Sequence, residues 1–530
     1  MASLRVKQAI QSEFSNQGLA LDKDALECLR EHVEEVQKQS NGSIDVDASI
    51  QQLLDALDGG VNAKVSGAVA AKLVARVAGG NCRTSDQIQV ISAFAVPCIK
   101  FDPSRRAFYQ VSGARTLHGS ALDKRAVYLE RFLLLQQRIS RNPQFNRPVF
   151  GGMLSEGRHM VELTDIKAML GVTGQRRVIM GCITQPQVGQ YALMDPSGTL
   201  PLNLSQARTT SGFYTENCIV MAEGEVEPDG RFKATALGFP PIESRQDSIA
   251  AAKGLDFFGG TPVGMEDVST TLEWEDAHEQ DRIVVLSDLH LDKPETLDRL
   301  ETVLEGFEGL DDPPGLFILC GNFVSPSSAA IDVLALKAHF TSLAHLLLSF
   351  SGLLKTSKFV FVPGPADAGP GCMLPRPALP QCITSELRRL IPSAVFTSNP
   401  TRIRWGSQTV VVFRGNLASR MRALSLIAPA SETSDPSIQF AHVCATIMQQ
   451  SHLCPLPLEA QPVYWQYDSA LHLYPLPDAL ILADSAPMAS HTNHGCACLN
   501  PGSASAGTFA AYMPGAREVE LCDIPDRDDE

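Results

Sequence analysis

Over the first 80 positions apolar residues recur every three to four places, the spacing of one helix face. Leu4, Ile10 and Phe14 make one stripe, ended by Gly18; Leu21, Ala25, Leu29 and Val33 make a second, with acidic residues in its first turn. Leu53, Leu54 and Leu57 make a third, stopped at Gly59-Gly60, and AKVSGAVAAKLVARVA makes a fourth. Short amphipathic segments with short connections predict an N-terminal helical bundle over 1–80. Residues 81–150 are less regular and read as a linker carrying a strand pair about Asp102-Pro103-Ser104 and a helix with Val127, Leu129, Phe132, Leu133 and Leu134 on one stripe.

From about 160 the period changes to two. RRVIMGCITQ, YALMDPSGTLPLNLS, CIVMAEGEVE and RFKATALGFPP are short strands separated by turn signals at Asp195-Pro196-Ser197-Gly198 and Asp229-Gly230. This predicts a small barrel of the oligonucleotide/oligosaccharide-binding (OB) type over 151–245. After a linker at 246–282, apolar strand runs alternate with helical patterns from 283 to 515, which predicts an α/β sandwich with parallel strands. The last residues, 516–530, read as a solvated acidic tail. The expected fold class is multidomain α+β.

With 530 residues the chain has room for about three domains of roughly 100–200 residues each. An apolar content of 44% and a charged content of 19% are those of an ordinary globular protein. No apolar run reaches the roughly 18–20 residues of a membrane span, and the first residues lack the apolar stretch of a signal peptide, so no membrane contact and an intracellular site are expected. Thirteen scattered cysteines fit buried thiols in a reducing compartment. A net charge of -15 opposes strong autonomous nucleic-acid binding, which needs clustered Lys and Arg. The barrel offers Arg176, Arg177, Tyr191, Arg208, Phe213 and Tyr214 as a sparse basic and aromatic set, so a barrel used for protein contact is preferred to a strand-binding one. His491-x-x-His494-x-Cys496-x-Cys498 holds four zinc-type ligands in one short loop, which rarely wraps a tetrahedron alone, so no metal is assigned there.

The candidate chemistry lies at strand ends. VVLSDLHLD, residues 284–292, is an apolar run closing on Asp288-x-His290; LFILCGNF closes on Gly321-Asn322, FVFVPGPAD on Gly364-Pro365-Ala366-Asp367, and CLNPGS on Asn500-Pro501-Gly502-Ser503. Asp and His at alternate positions of a strand end can both face one metal ion. The succession resembles the motifs of the calcineurin-like metallophosphoesterases, with departures. A neutral Asn322 stands where a carboxylate should bridge two metals; Pro365 and Ala366 replace an Asn ligand and a His; Ala483, Asp484 and Ser485 stand where two imidazoles are expected. His442 and His452 are alternatives for a further single His. No catalytic residue, metal or cofactor is therefore assigned, and Asp288, His290, Asn322 and Asp367 are read as vestigial positions of an inactivated phosphoesterase. Three uses of Asp288 and His290 stay open: a structural pair, a site for one metal without turnover, or an active phosphodiesterase.

Helical bundle, OB barrel and eroded phosphoesterase, in that order, resemble the B subunits of the eukaryotic replicative DNA polymerases, most closely the epsilon type. The strings that carry the likeness are FILCGNF, FVFVPG, MLPRPALP, VFTSNPTRIRW, SHLCPLPL, PVYWQYDSALHLYPLPD and CLNPGS. The resemblance implies a non-catalytic nuclear subunit that grips the C-terminal domain of the catalytic subunit of DNA polymerase epsilon and reaches the replicative helicase through the GINS complex with its N-terminal domain. It also implies indirect association with the small histone-fold subunits, and contact with DNA only within the holoenzyme. Tyr464, Trp465, Tyr467 and Tyr474 are residue types enriched at interface hot spots, though Trp465 reads first as core.

Overall fold

The computed structural model describes residues 87–145, 163–260, 268–310, 312–325, 332–427, 429 and 435–525, with a few positions between 7 and 30 and at 64–65. By its contacts the chain divides into two units, Met1–Asp86 and Gln87–Glu530. In the first, Ile10 and Phe14, then Ala25 and Leu29, are helical and buried, as their spacing predicts. Leu21 is not part of the second helix: Ala20–Leu21 pairs in parallel with Lys64–Val65, so the segment read as the start of a fourth helix begins as a strand. The third helix and the rest of the fourth lie outside the described residues.

The second unit contains a barrel and a two-sheet sandwich. In the barrel, Arg177–Gln187 pairs with Gln190–Asp195 and with Ile219–Val226, Gln190–Asp195 with Gly198–Asn203, and Ile219–Val226 with Phe232–Gly238. Parallel pairing of Phe232–Gly238 with Gly198–Asn203 closes the circuit of five strands. Inward residues such as Ile179, Ile183, Leu193, Leu200, Val220, Phe232 and Leu237 fill it. At the bulge after Glu223, a Cβ on Gly224 would lie 2.0 Å from the Lys233 carbonyl oxygen, so only glycine fits.

In the sandwich, the first sheet runs Val395–Phe396, Lys358–Val362, Leu316–Cys320, Ile283–Leu286, Thr508–Met513, Glu518–Asp523, its first four strands parallel. The second runs Ala489–Asn493, Cys496–Asn500, Ala479–Ala483, Gln408–Arg414, Thr401–Trp405, Ile88–Ser92. Alternation explains why these strands read as unbroken apolar runs. Ile283 and Val285 face the layer between the sheets with Ile318, Val360, Val410 and Ile481, whereas Val284 and Leu286 face the helices Pro294–Glu308 and Val333–Ser349. Val411, Phe413, Leu480 and Leu482 face the helices Leu417–Leu424 and Pro436–Gln450 on the other side. Both faces of the inner strands Ile283–Leu286, Leu316–Cys320, Gln408–Arg414 and Ala479–Ala483 are dry, as parallel sheets require.

Three segments depart from the expected boundaries. Ile88–Ser92, placed in a linker, is an edge strand paired antiparallel with Thr401–Trp405. The stretch read as linker at 246–282 contains the helix Val268–Ala277, whose Trp274 packs on Trp405 with ring centroids 4.6 Å apart. Glu518–Asp523, read as tail, is a strand paired with Thr508–Met513; its mostly exposed, acidic sequence is that of an edge, not of a free end. Among the described residues no helix is long and apolar enough to cross a membrane.

Candidate functional site

The strand ends meet where the motifs predict, at the carboxyl edge of the two sheets. Asp288 follows Ile283–Leu286 by two residues, held at φ 53°. Asn322 follows Leu316–Cys320, Asp367 lies five residues beyond Lys358–Val362, and Arg414 is the last residue of Gln408–Arg414. This last side chain, which no motif pointed to, occupies the centre. Its guanidinium is fully buried and places Nη2 2.5 Å from Asp288 Oδ1. Nε donates to the Gly321 carbonyl at 2.6 Å, and Nη1 to Ala483 O at 3.1 Å and Asn416 Oδ1 at 2.7 Å. One cation thus ties together the ends of strands from both sheets.

The predicted positions are brought together, but their ligand atoms are largely engaged. Asp288 Oδ1 also accepts from Asn322 N and Nδ2, both at 3.3 Å, and Asn322 Oδ1 accepts from Ala366 N at 2.9 Å. Asp367 accepts from Phe323 N and Gly364 N, one with each oxygen, both at 2.7 Å. Burial pushes the Asp367 carboxyl up to about 6, against the pull of those two N–H groups. His290 Nε2 is 4.0 Å from Asp288 Oδ1, neither ring nitrogen has a hydrogen-bond partner, and burial pushes its pKa down.

These residues do not fit a two-metal centre. Of the four positions only His290 offers free nitrogens; the bridging position is an amide that is already bonded, and a fixed guanidinium sits at ion-pair distance from Asp288, where it repels any second cation. The remaining ligand positions hold Ala483, a core residue, and Asp484, whose oxygens accept from Ala418 N and Ala486 N. The two histidines considered for the missing position are used elsewhere. His442 Nδ1 accepts from Gly212 N at 2.9 Å, and His452 is hydrogen-bonded to Asp468.

Other candidates resolve the same way. Of the barrel's aromatic set, Phe213 and Tyr214 are buried, Tyr214 stacks on Phe239 at 4.3 Å, and Tyr191 donates to Leu426 O. Arg176 is paired with Glu223, so the described residues of this set leave no aromatic platform beside the exposed Arg208. In the four-ligand loop, Cys496 and Cys498 are core, and His494 sits exposed at a turn. Trp465 is half-buried against the same core.

Known proteins agree with this architecture. Residues 283–491 match the family model of the DNA polymerase alpha/epsilon B subunits, and residues 121–241 match the OB-fold domain of "DNA polymerase epsilon subunit 2-like" proteins. The B subunit of DNA polymerase epsilon from Arabidopsis thaliana is 38% identical over 97% of this chain and 98% of its own length. The chain belongs to the family of DNA polymerase epsilon B subunits. The mouse and human DNA polymerase epsilon subunit 2 are 36% and 35% identical, each over 98% of this chain and 99% of their own lengths. As a member of this family the chain is an accessory subunit of DNA polymerase epsilon, a component of DNA replication. The OB model begins at 121 and so takes in the long helix Ala121–Arg141, which the period-two pattern alone left outside the barrel.

Proposed function

We propose that the chain is a non-catalytic scaffold of DNA polymerase epsilon whose phosphoesterase-like centre holds an internal arginine and performs no hydrolysis. The observation that carries this is Arg414: its buried guanidinium, bound to Asp288 and to carbonyls of two other strand ends, supplies the positive charge a metal would bring, in a form that cannot polarise a water or a phosphoryl oxygen as a metal does. The barrel and the sandwich form the surface for the C-terminal domain of the catalytic subunit. The N-terminal residues serve the link to the helicase through GINS, the histone-fold subunits associate indirectly, and the complex works in the nucleus. An obligate interface of about 2,000 Å² or more is of the size such a scaffold presents. Its net charge of -15 leaves DNA contact to the assembled holoenzyme.

The test is affinity purification of tagged full-length chain at mild salt, followed by primer extension. A stoichiometric large polymerase chain, with extension unchanged when Asp288→Asn and His290→Gln are combined, is the expected result. Manganese-stimulated phosphodiester hydrolysis that disappears with Asp288→Ala would refute the scaffold reading.

A further inference from the structure

Beside the strand-end centre lies a cavity of about 140 Å³ whose wall contains three arginines, Arg376, Arg414 and Arg420, and no carboxylate; neither Asp288 nor His290 lines it. Arg376 is 3% exposed and gives its Nη groups to the main-chain oxygens of Pro365, Asp367 and Gly371, while its Nε has no partner. Arg420 donates to Gln461 Oε1 at 2.6 Å and to Ala460 O. Among the described residues neither of these two makes an ion pair. Asp367, the carboxylate that Arg376 feels, has both oxygens on main-chain N–H groups. The hydrogen bonds of both guanidinium groups thus go to neutral carbonyl and amide oxygens, and Asp367 acts on Arg376 only through space. A guanidinium held out of water without a directly bonded counter-charge is costly, and an anion would relieve that cost. The helix Leu417–Leu424 contributes its first residue to the wall, but its N-terminal amides are already used, Leu417 N by Gly415 O and Ala418 N by Asp484 Oδ2, so the arginines alone supply the field.

We propose that this cavity binds a small phosphate-class oxyanion, with Arg376 and Arg420 as its charged contacts and Arg414 closing the wall. Size admits the class. A water needs roughly 10–15 Å³ of such space, so 140 Å³ is ample for a phosphate or pyrophosphate group with a few waters. Charge selects the source. A chain of net charge -15 repels a polyanionic strand over long range, whereas a free small anion loses little to that field and gains the local one. The assignment is independent of the scaffold reading, since it needs neither a partner chain nor a vacant metal site.

The test uses full-length chain. Its melting temperature and calorimetric affinity are measured with inorganic phosphate and with pyrophosphate, against sodium chloride of equal ionic strength, and with a 5′-phosphorylated oligonucleotide beside its unphosphorylated form. Phosphate or pyrophosphate is expected to raise the melting temperature above the chloride control. Arg420→Gln, at a half-buried position, is expected to weaken binding by about tenfold or more through loss of a charge-assisted contact. Ala460→Phe, which fills the cavity and removes no charge, is expected to abolish it. No anion-specific shift, or equal affinity in both variants, would overturn the proposal. Tighter binding of the phosphorylated oligonucleotide than of free phosphate would overturn the small-anion assignment in favour of a nucleic-acid end.

Discussion

Arg414 carries the largest single consequence at the scale of one residue. Its removal leaves Asp288 as a buried carboxylate without its cation, and strips the Gly321 and Ala483 carbonyls of a donor. Breaking one partner of a buried ion pair costs about 3–5 kcal/mol. Arg414→Ala is therefore expected to lower unfolding free energy by about that amount in urea titrations, with Asp288→Asn costing less because a neutral amide can remain bonded to Asn322. A loss under about 1 kcal/mol for Arg414→Ala would mean that the pair contributes nothing net, as exposed pairs do. Asp288, His290, Asn322 and Asp367 differ from it in how they could be found. Those four were legible because metal chemistry demands particular residue types directly after a strand, so both their presence and the neutral amide at Asn322 could be noticed. Arg414 belongs to no such set. It ends an apolar strand, QTVVVFR, and its partner Asp288 is 126 positions away. The available signal was the Gly415-Asn416 that follows this strand, the same pair as the Gly321-Asn322 that follows Leu316–Cys320.

At the scale of elements, apolar runs flanked by glycine located the sandwich strands well, because a strand buried on both faces must be apolar throughout. Edge elements escaped. Glu518–Asp523 and Ile88–Ser92 are half-wet strands, and a short acidic or mixed stretch carries no period that separates it from a loop. The helix Ala121–Arg141 was found, but not what it does. Arg131 donates from Nε to Asp468 Oδ2 at 3.0 Å and from Nη2 to Oδ1 at 2.5 Å, within the short helix Trp465–Leu471. His452 and His472 each reach Asp468 with Nε2 at 3.3 Å. These three are, among the described residues, the group close enough to share an ion, but Arg131 already occupies both carboxylate oxygens. His452 Nδ1 accepts from Cys454 N at 3.0 Å, so its proton sits on Nε2 and the ring is neutral. Burial first, and Arg131 second, push its pKa from 6.5 down to about 4. Between those values the unfolded chain takes up a proton that the folded chain refuses, so stability falls as pH falls from 6.5 towards 4. Asp468, held well below the usual carboxylate range by Arg131 and the histidines despite its burial, loses its contribution only at still lower pH. Asp367 acts in the opposite sense: raised to about 6, it favours the fold below its unfolded value and loses that contribution as pH rises towards 6. His452→Gln keeps an acceptor for Cys454 and removes the titration. It is expected to flatten the decline in unfolding free energy, read from urea titrations, between pH 6.5 and 4 by up to about 3 kcal/mol. A pH profile parallel to that of the unsubstituted chain would show that folding does not shift the titration of His452.

Considered as a whole molecule, the chain from Gln87 onward is one unit by its contacts, although composition and period suggest separate domains. The reason is a polar seam between barrel and sandwich that sequence spacing cannot reveal. Tyr214–Thr215 pairs with Ser425–Ile427, Phe213 N donates to Thr446 Oγ1 at 2.8 Å, and Thr215 Oγ1 donates to Pro455 O at 2.9 Å. Arg138 bonds Ser451 Oγ at 2.6 Å on one side and Pro240 O at 3.0 Å on the other. Gln450 is the most telling member. Its side chain accepts from Ile219 N at 2.8 Å and donates to Ile219 O at 2.7 Å, completing the pairing of a barrel strand as a neighbouring strand would. Buried main-chain groups left unpaired cost about 1–3 kcal/mol each, so Gln450→Ala is expected to destabilise the chain by about 2–5 kcal/mol. More informative than the size is the shape of unfolding. With the seam intact, barrel and sandwich should melt in one calorimetric transition, because neither can leave without stranding buried polar groups of the other. Once Gln450 is truncated, the barrel's transition should move below that of the sandwich and the single peak should broaden or split. If the full-length chain already shows separate transitions for the two parts, the seam does not couple them. If barrel and sandwich present one surface to the catalytic subunit, as proposed above, that coupling is needed before the partner arrives, since interface energy otherwise goes into ordering the two parts.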